Sequence, residues 1–103
     1  MTREDTARAA HRGGTNCAAS VYGTYQDVNP GYGRAPAPRS EGGKCGAVLA
    51  AEKTLREMGV TCDFDVRFEA AFGSLKCGEL RRKGVPCNDL VGAAAKFVEE
   101  ALR

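Results

Sequence analysis

The chain has 103 residues and a formal net charge of +2 at neutral pH, which leaves room for one domain with one small core. Hydrophobic residues make up 43% and charged residues 27% of the sequence, so disordered, collagen-like and coiled-coil classes are disfavoured. The net charge is far from the dense basic stripe of a nucleic-acid-binding protein. No stretch approaches the roughly 18 apolar residues that cross a bilayer. We therefore expect a cytoplasmic protein that binds neither nucleic acid nor membrane.

Cysteine is the unusual feature of the composition, with five in a chain that has a single histidine. An odd number excludes a fully paired disulfide framework. In a reducing compartment, cysteine enrichment more often reflects metal binding or thiol chemistry than structural bridges. The candidate functional residues are therefore drawn from Cys17, Cys45, Cys62, Cys77 and Cys87.

Two helices are predicted before residue 29. Thr2 followed by Asp5 predicts the cap of a helix that ends near Gly13. Asn16 or Thr15 predicts the cap of a second helix. Apolar residues recur there at every fourth position, which predicts an interior face made of Cys17, Val21 and Tyr25.

A loop rich in proline and glycine is predicted at about residues 29–43. Three prolines in this stretch remove backbone donors, and its glycines permit turns. Loops longer than about 12–15 residues usually have a function of their own or act as linkers. We expect this loop to cover part of the domain.

Four further helices are predicted in the second half of the chain. Residues 44–58 follow the helical period, and Gly59 stands where a left-handed C-cap is needed. Residues 63–72 could form a strand or a helix, and we predict a helix because no second strand is available as a partner. Ser74 predicts the cap of a short helix, and Asn88 or Cys87 the start of the last one. The predicted fold is a single all-α domain over residues 1–103, a bundle of about five to six short helices.

Three cysteines share a setting in this scheme, because Cys45, Cys77 and Cys87 each fall within the first turn or so of a predicted helix. A helix N-terminus favours the thiolate over the thiol and offers N–H groups to the sulfur. Cys17 lies near the start of its own helix on the apolar side, so the four thiols could meet in the bundle. There is no C-x-x-C pair, which argues against a thioredoxin-like or zinc-ribbon site.

Four stretches of the chain resemble the C_GCAxxG_C_C family of redox-active proteins. They are Asn16-Cys17-Ala18, Gly43-Lys44-Cys45-Gly46-Ala47, the run from Phe72 to Leu80 that contains Cys77-Gly78, and Cys87 with Leu90-Val91. The resemblance places the four family cysteines on Cys17, Cys45, Cys77 and Cys87 and leaves Cys62 outside the pattern. Ala50 stands where the motif has its last glycine. The resemblance implies an intracellular, mostly helical redox protein. A related domain in the split-Soret type of cytochrome implies that such cysteines can hold a [2Fe-2S] cluster.

Three functions remain open from the residues themselves. The leading one is a [2Fe-2S] cluster bound by Cys17, Cys45, Cys77 and Cys87 for electron transfer with a redox partner protein, and a homodimer is compatible with it. The second is a metal-free thiol–disulfide protein that uses Cys77 and Cys87, or Cys45 and one of them. The third is a structural zinc site in a small interaction module.

The other candidate residues have plainer interpretations. Cys62 is expected to fill the core. His11 is expected to be solvated, and because it is the only histidine, a Cys–His hydrolase is disfavoured. The cations Arg81, Arg82 and Lys83 are expected near a helix C-terminus, although they could also stabilise thiolate charge. These residues do not assign an enzymatic reaction.

Overall fold

The computed structural model describes residues 2–32, 45–60 and 63–102, with the side chain of Cys77 left out. This part of the chain contains six α-helices and no β-strand, which confirms the all-α prediction. The helices are α1 (Arg3–Arg12), α2 (Cys17–Gly23), α3 (Gly46–Glu57), α4 (Phe64–Phe72), α5 (Cys77–Arg82) and α6 (Cys87–Ala101). The same residues include no helix long and apolar enough to cross a membrane.

The first two helices begin where the capping residues predict. Thr2 and Asp5 form a reciprocal capping box at the start of α1. The Asn16 side chain accepts a hydrogen bond of 2.8 Å from the backbone N–H of Ala19 at the start of α2. Tyr25, which was predicted on the same helical face as Cys17, lies beyond the end of α2 in a turn but is fully buried.

Left-handed glycines follow α3 and α4. Gly59 has φ +71° and Gly73 has φ +84°, a conformation in which any other residue is strained. The ambiguous stretch before Gly73 is helical as predicted. Phe64 and Phe68 face the interior, 3% and 0% exposed, and both rings contact Phe97 of α6.

The start of α5 differs from the prediction. Ser74 does not cap the helix. Its hydroxyl accepts a hydrogen bond from the backbone N–H of Lys76 at 3.0 Å, and Lys76 occupies the N-cap position. Ser74 therefore closes a tight turn ahead of the helix, a competing use of a short hydroxyl side chain. The last helix begins at Cys87, one of the two predicted starts.

Contacts between helix ends establish the directions of α1, α2 and α6. Arg3 near the start of α1 donates to the carbonyl of Thr24, just after α2, and lines one polar cleft with Glu99 near the end of α6. Arg8 in the second half of α1 pairs with Asp89 in the first turn of α6 at 2.9 Å. Thus α1 is antiparallel to both α2 and α6, and those two helices run in the same direction.

The direction of α3 follows from Glu57 in its last turn. The Glu57 carboxylate accepts hydrogen bonds from the Tyr22 hydroxyl at 2.7 Å and from the Asn29 amide at 2.9 Å. Tyr22 lies near the end of α2 and Asn29 follows it, so α3 ends where α2 ends. The N-termini of α2, α3 and α6 consequently lie at the same end of the bundle.

The apolar residues buried in the described part form one cluster, to which helices α1 to α6 all contribute. The largest fully buried side chain is Tyr25, whose hydroxyl donates to the backbone carbonyl of Ala95 at 2.6 Å. Burial raises the pKa of Tyr25 well above its ordinary range. Residues 29–32 of the predicted loop are non-helical, and its residues 33–43 lie outside the described residues.

Candidate functional site

Each of the four candidate cysteines begins a helix. Cys17 is the first residue of α2, Cys45 is the N-cap of α3, and Cys77 and Cys87 are the first residues of α5 and α6. The predicted placement of Cys45, Cys77 and Cys87 at helix starts is confirmed, and so is that of Cys17 near the start of its own helix. Cys62 lies outside the described residues.

Cys17 and Cys87 lie at the same end of the bundle, where α1 ends. The side-chain amide of Asn88 donates to the Arg8 carbonyl at 3.0 Å, which ties the start of α6 to the second half of α1. The backbone N–H of Thr15 donates to the Ala10 carbonyl at 3.1 Å, which holds the start of α2 against the last turn of α1. The two cysteines therefore flank the C-terminus of α1.

A backbone hydrogen bond joins Cys45 to the segment that leads into α5 and Cys77. The N–H of Cys45 donates to the carbonyl of Leu75 at 2.9 Å, and Leu75 is two residues ahead of Cys77. Because α3 also runs parallel to α2 and α6, the starts of all four cysteine-bearing helices gather at one end of the molecule. Whether the four sulfurs meet remains a prediction.

The described thiols differ in exposure. Cys45 is buried in the core and only 2% exposed. Cys17 is half-buried and packs against the core, as its place on the apolar face predicts, and Cys87 is half-buried as well. Cys17 and Cys87 are free thiols. This end of the bundle thus offers both a water-excluded sulfur and sulfurs that reagents can reach.

Within the described residues, the helices that carry Cys45, Cys77 and Cys87 have no side-chain cap. No side-chain hydrogen bond closes the N-terminus of α3, α5 or α6, whereas Thr2 and Asn16 cap α1 and α2. The first N–H groups of an α-helix have no partner inside the helix. In the two longer helices, α3 and α6, these donors and the helix dipole favour negative charge on a nearby sulfur.

No group of three or more histidine, cysteine, aspartate or glutamate side chains that could hold a metal ion occurs among the residues that the structure describes. The side chain of Cys77 lies outside that description.

A polar network beside Cys87 could not be read from the sequence. Arg8 pairs with Glu4 and with Asp89 in the first turn of α6. The hydrogen bond with Asp89 raises the pKa of Arg8 above its ordinary value, so a permanent cation lies close to the start of α6. His11 is not simply solvated as predicted, because it is half-buried and its Nδ1 lies 3.3 Å from the side-chain nitrogen of Asn88.

The cations of α5 lie where the simpler interpretation predicts. Arg81 and Arg82 are in the last turn of the helix and Lys83 is its C-cap, a position at which positive charge offsets the helix dipole. All three are exposed.

One cleft of the described part lies at the opposite end of α3 from Cys45. It has a volume of about 420 Å³, lies between the end of α3 and the start of α4, and is lined by residues that include Glu52, Arg56, Asp63 and Val66. None of the described cysteines lines it.

Comparison of the chain with family models, with curated proteins and with solved structures finds no match.

Proposed function

We propose that this chain is a redox protein in which the thiolates of Cys17, Cys45, Cys77 and Cys87 bind a [2Fe-2S] cluster. The observation that carries the proposal is that all four cysteines lie at the starts of helices whose N-termini gather at one end of the bundle. The resemblance of the cysteine pattern to the C_GCAxxG_C_C family supports the same assignment. We also propose a cytoplasmic setting, since free thiols persist in a reducing compartment.

The donor set fits this cluster in number and kind. A [2Fe-2S] cluster takes four cysteine thiolates and gains from N–H donors to sulfur and from exclusion of water. The uncapped starts of α3 and α6 offer such donors, and the burial of Cys45 offers a dry surround.

When bound, the cluster would supply one-electron transfer. The chain would hold the irons through four thiolates, donate backbone hydrogen bonds from the first turns of α3 and α6, and exclude water on the core side. Half-exposed Cys17 and Cys87 would be at the side that faces an electron donor or acceptor.

A metal-free dithiol is the second candidate, and one contact favours it. The hydrogen bond from Cys45 to Leu75 brings the start of α3 beside the chain that enters Cys77. In this reaction the two thiols would lose two protons and two electrons to an oxidised partner dithiol and form one S–S bond. Only Cys45 and Cys77 would then be essential.

The deciding experiment is the visible absorption spectrum, with iron, sulfide and zinc content, of protein purified without oxygen. Five variants accompany it: Cys17→Ser, Cys45→Ser, Cys62→Ser, Cys77→Ser and Cys87→Ser. We expect sulfur-to-iron charge-transfer bands in the parent protein that are lost in every variant except Cys62→Ser, which is the matched control.

Other outcomes reject the cluster. A colourless protein with stoichiometric zinc assigns a structural site. A metal-free protein whose reversible disulfide is lost only in Cys45→Ser and Cys77→Ser assigns dithiol chemistry.

A further inference from the structure

The segment that links Cys77 to Cys87 carries a concentration of positive charge. Residues 76–83 contain four basic side chains and one acidic side chain, a net charge of +3, whereas the whole chain has only +2. The four cations are all exposed. We call them the α5 cationic surface, and it consists of Lys76, Arg81, Arg82 and Lys83.

These cations have no carboxylate partner within the residues that the structure describes. Arg3, Arg8, Lys53 and Arg67 each form an ion pair with an aspartate or glutamate, but no described ion pair includes a member of the α5 cationic surface. The Arg82 side chain donates only to the Gly78 carbonyl of its own helix. The positive charge of this surface is therefore available to another molecule.

The surface is adjacent to the start of two cysteine-bearing helices. Arg81 follows Cys77 by four residues, which is about one helical turn. The Lys83 ammonium group turns back against Gly73 in the approach to α5. Val85 donates from its backbone N–H to the Leu80 carbonyl at 3.1 Å, which folds the link to Cys87 against α5. A molecule bound to these cations would lie beside the candidate cysteines.

We propose that the α5 cationic surface docks the acidic face of a protein electron carrier. This inference rests on the proposed redox function and names the chemistry of its partner. One electron passes from the reduced carrier to the oxidised site, so the carrier is oxidised by one electron and the site is reduced by one. No covalent bond forms or breaks, and no proton is transferred.

Charge complementarity is the reason that the proposed partner is an acidic protein. Exposed charges steer association over about one Debye length, roughly 8–10 Å at physiological salt, and electrostatic steering mainly raises the rate of encounter. An electron carrier needs fast and reversible docking more than high affinity. Four exposed cations within eight residues of a nearly neutral chain meet that need, but they are few for the phosphate contacts of nucleic acid.

Two double variants with equal net charge test the surface. Arg81→Glu with Arg82→Glu reverses two of its charges. Arg56→Glu with Lys96→Glu reverses two exposed cations on α3 and α6, and Arg56 lies in the last turn of its helix as Arg82 does. The probe is a fluorescent peptide of about eight glutamates, and its binding is measured by anisotropy at low and physiological salt.

We expect the α5 double variant to bind the acidic peptide roughly tenfold more weakly than the control double variant at low salt, a difference that shrinks as salt rises. Equal binding of the peptide by the two variants overturns the proposal. A short single-stranded DNA of similar charge also overturns it if the DNA binds more tightly than the peptide and loses as much affinity in the α5 double variant. Circular dichroism checks folding, and the uncharged pair Arg81→Gln with Arg82→Gln repeats the test if charge reversal unfolds α5.

A second readout connects the surface to the redox site. The reduced protein is oxidised by ferricyanide, an anion that accepts one electron to become ferrocyanide, or by hexaammineruthenium(III), a cation that also accepts one electron. We expect the α5 double variant to react roughly tenfold more slowly with ferricyanide and faster with the ruthenium complex than the control. Unchanged rates overturn docking beside the cysteines.

The two readouts separate this proposal from the proposed function. If the redox assignment is wrong, no reaction with either oxidant depends on the candidate cysteines. Peptide binding still reports on the α5 cationic surface in that case. If only the docking assignment is wrong, the redox reaction persists and the two double variants behave alike.

Discussion

Glu57 shows how single residues attach the turn region after α2 to the end of α3. Its carboxylate accepts hydrogen bonds from Tyr22 and Asn29 and pairs with Lys53 at 3.0 Å. The Tyr22 ring also stacks on Tyr32 at 4.8 Å between centroids. Burial alone would raise the pKa of Glu57, but the hydrogen bonds from Tyr22, Asn29 and Lys53 outweigh it and hold the pKa below its ordinary value of 4.5.

A depressed carboxyl pKa stabilises the fold above the pKa of the unfolded chain, and that stability is lost as pH falls through the folded value. We therefore expect Glu57→Gln to lower the free energy of unfolding by about 1 kcal/mol near pH 7. The difference from the parent should shrink as the pH falls through the lowered pKa of Glu57 in the folded protein. Urea unfolding at neutral pH and at acid pH measures it.

The control for this prediction is Glu69→Gln on the exposed face of α4, which should change stability little at either pH. An equal loss in Glu57→Gln at both pH values would show that the charge of Glu57 does not matter.

At the scale of the helix, stability is most sensitive to substitution at the ends of the elements. Gly59 ends α3 in the left-handed region with φ +71°, and a Cβ there would meet nothing within 4 Å. The cost of a side chain at this position is therefore conformational. Gly78 in α5 also has open space around it, but its φ is not in the left-handed region, so alanine there should favour the helix.

We expect opposite effects from the same substitution at these two positions. Gly59→Ala should lower the free energy of unfolding by about 1 kcal/mol because alanine is strained at positive φ. Gly78→Ala should raise it by about 0.5–1 kcal/mol because alanine has the higher helix propensity. Urea unfolding followed by circular dichroism tests both, and a gain in Gly59→Ala would contradict the left-handed assignment.

Helix boundaries were largely predictable because their signals are local. The Thr2–Asp5 capping box, the Asn16 cap and the glycines after α3 and α4 each act within a few residues of the chain. Ser74 misled the prediction, since a serine can close a turn as readily as it caps a helix. Only the neighbouring backbone decides between the two.

At the scale of the whole molecule, the four cysteines connect elements that are far apart in sequence. They lie at the N-terminal ends of α2, α3, α5 and α6, so a group bound to all four would cross-link most of the bundle. A ligand that binds only the folded state stabilises it. The proposed cluster should therefore contribute to stability as well as to electron transfer.

We expect removal of iron with a chelator under reducing conditions to lower the thermal midpoint of the anaerobically purified protein by roughly 10 °C. The Cys62→Ser variant should lose as much as the parent. Cys45→Ser, which lacks one proposed ligand, should be unaffected by the chelator. Differential scanning calorimetry before and after treatment gives the comparison, and an unchanged midpoint in the parent would argue against a bound cluster.

The sequence by itself determined the all-α class, most helix boundaries and the position of cysteines at helix starts, because caps, helical period and glycine conformations depend on neighbours within a few residues. The tertiary structure decided which helix starts share one end, which cations are paired, and that Glu57 and His11 have partners. Those properties depend on contacts such as Arg8 with Asp89, 81 residues apart. Only the packing of the helices brings such residues together.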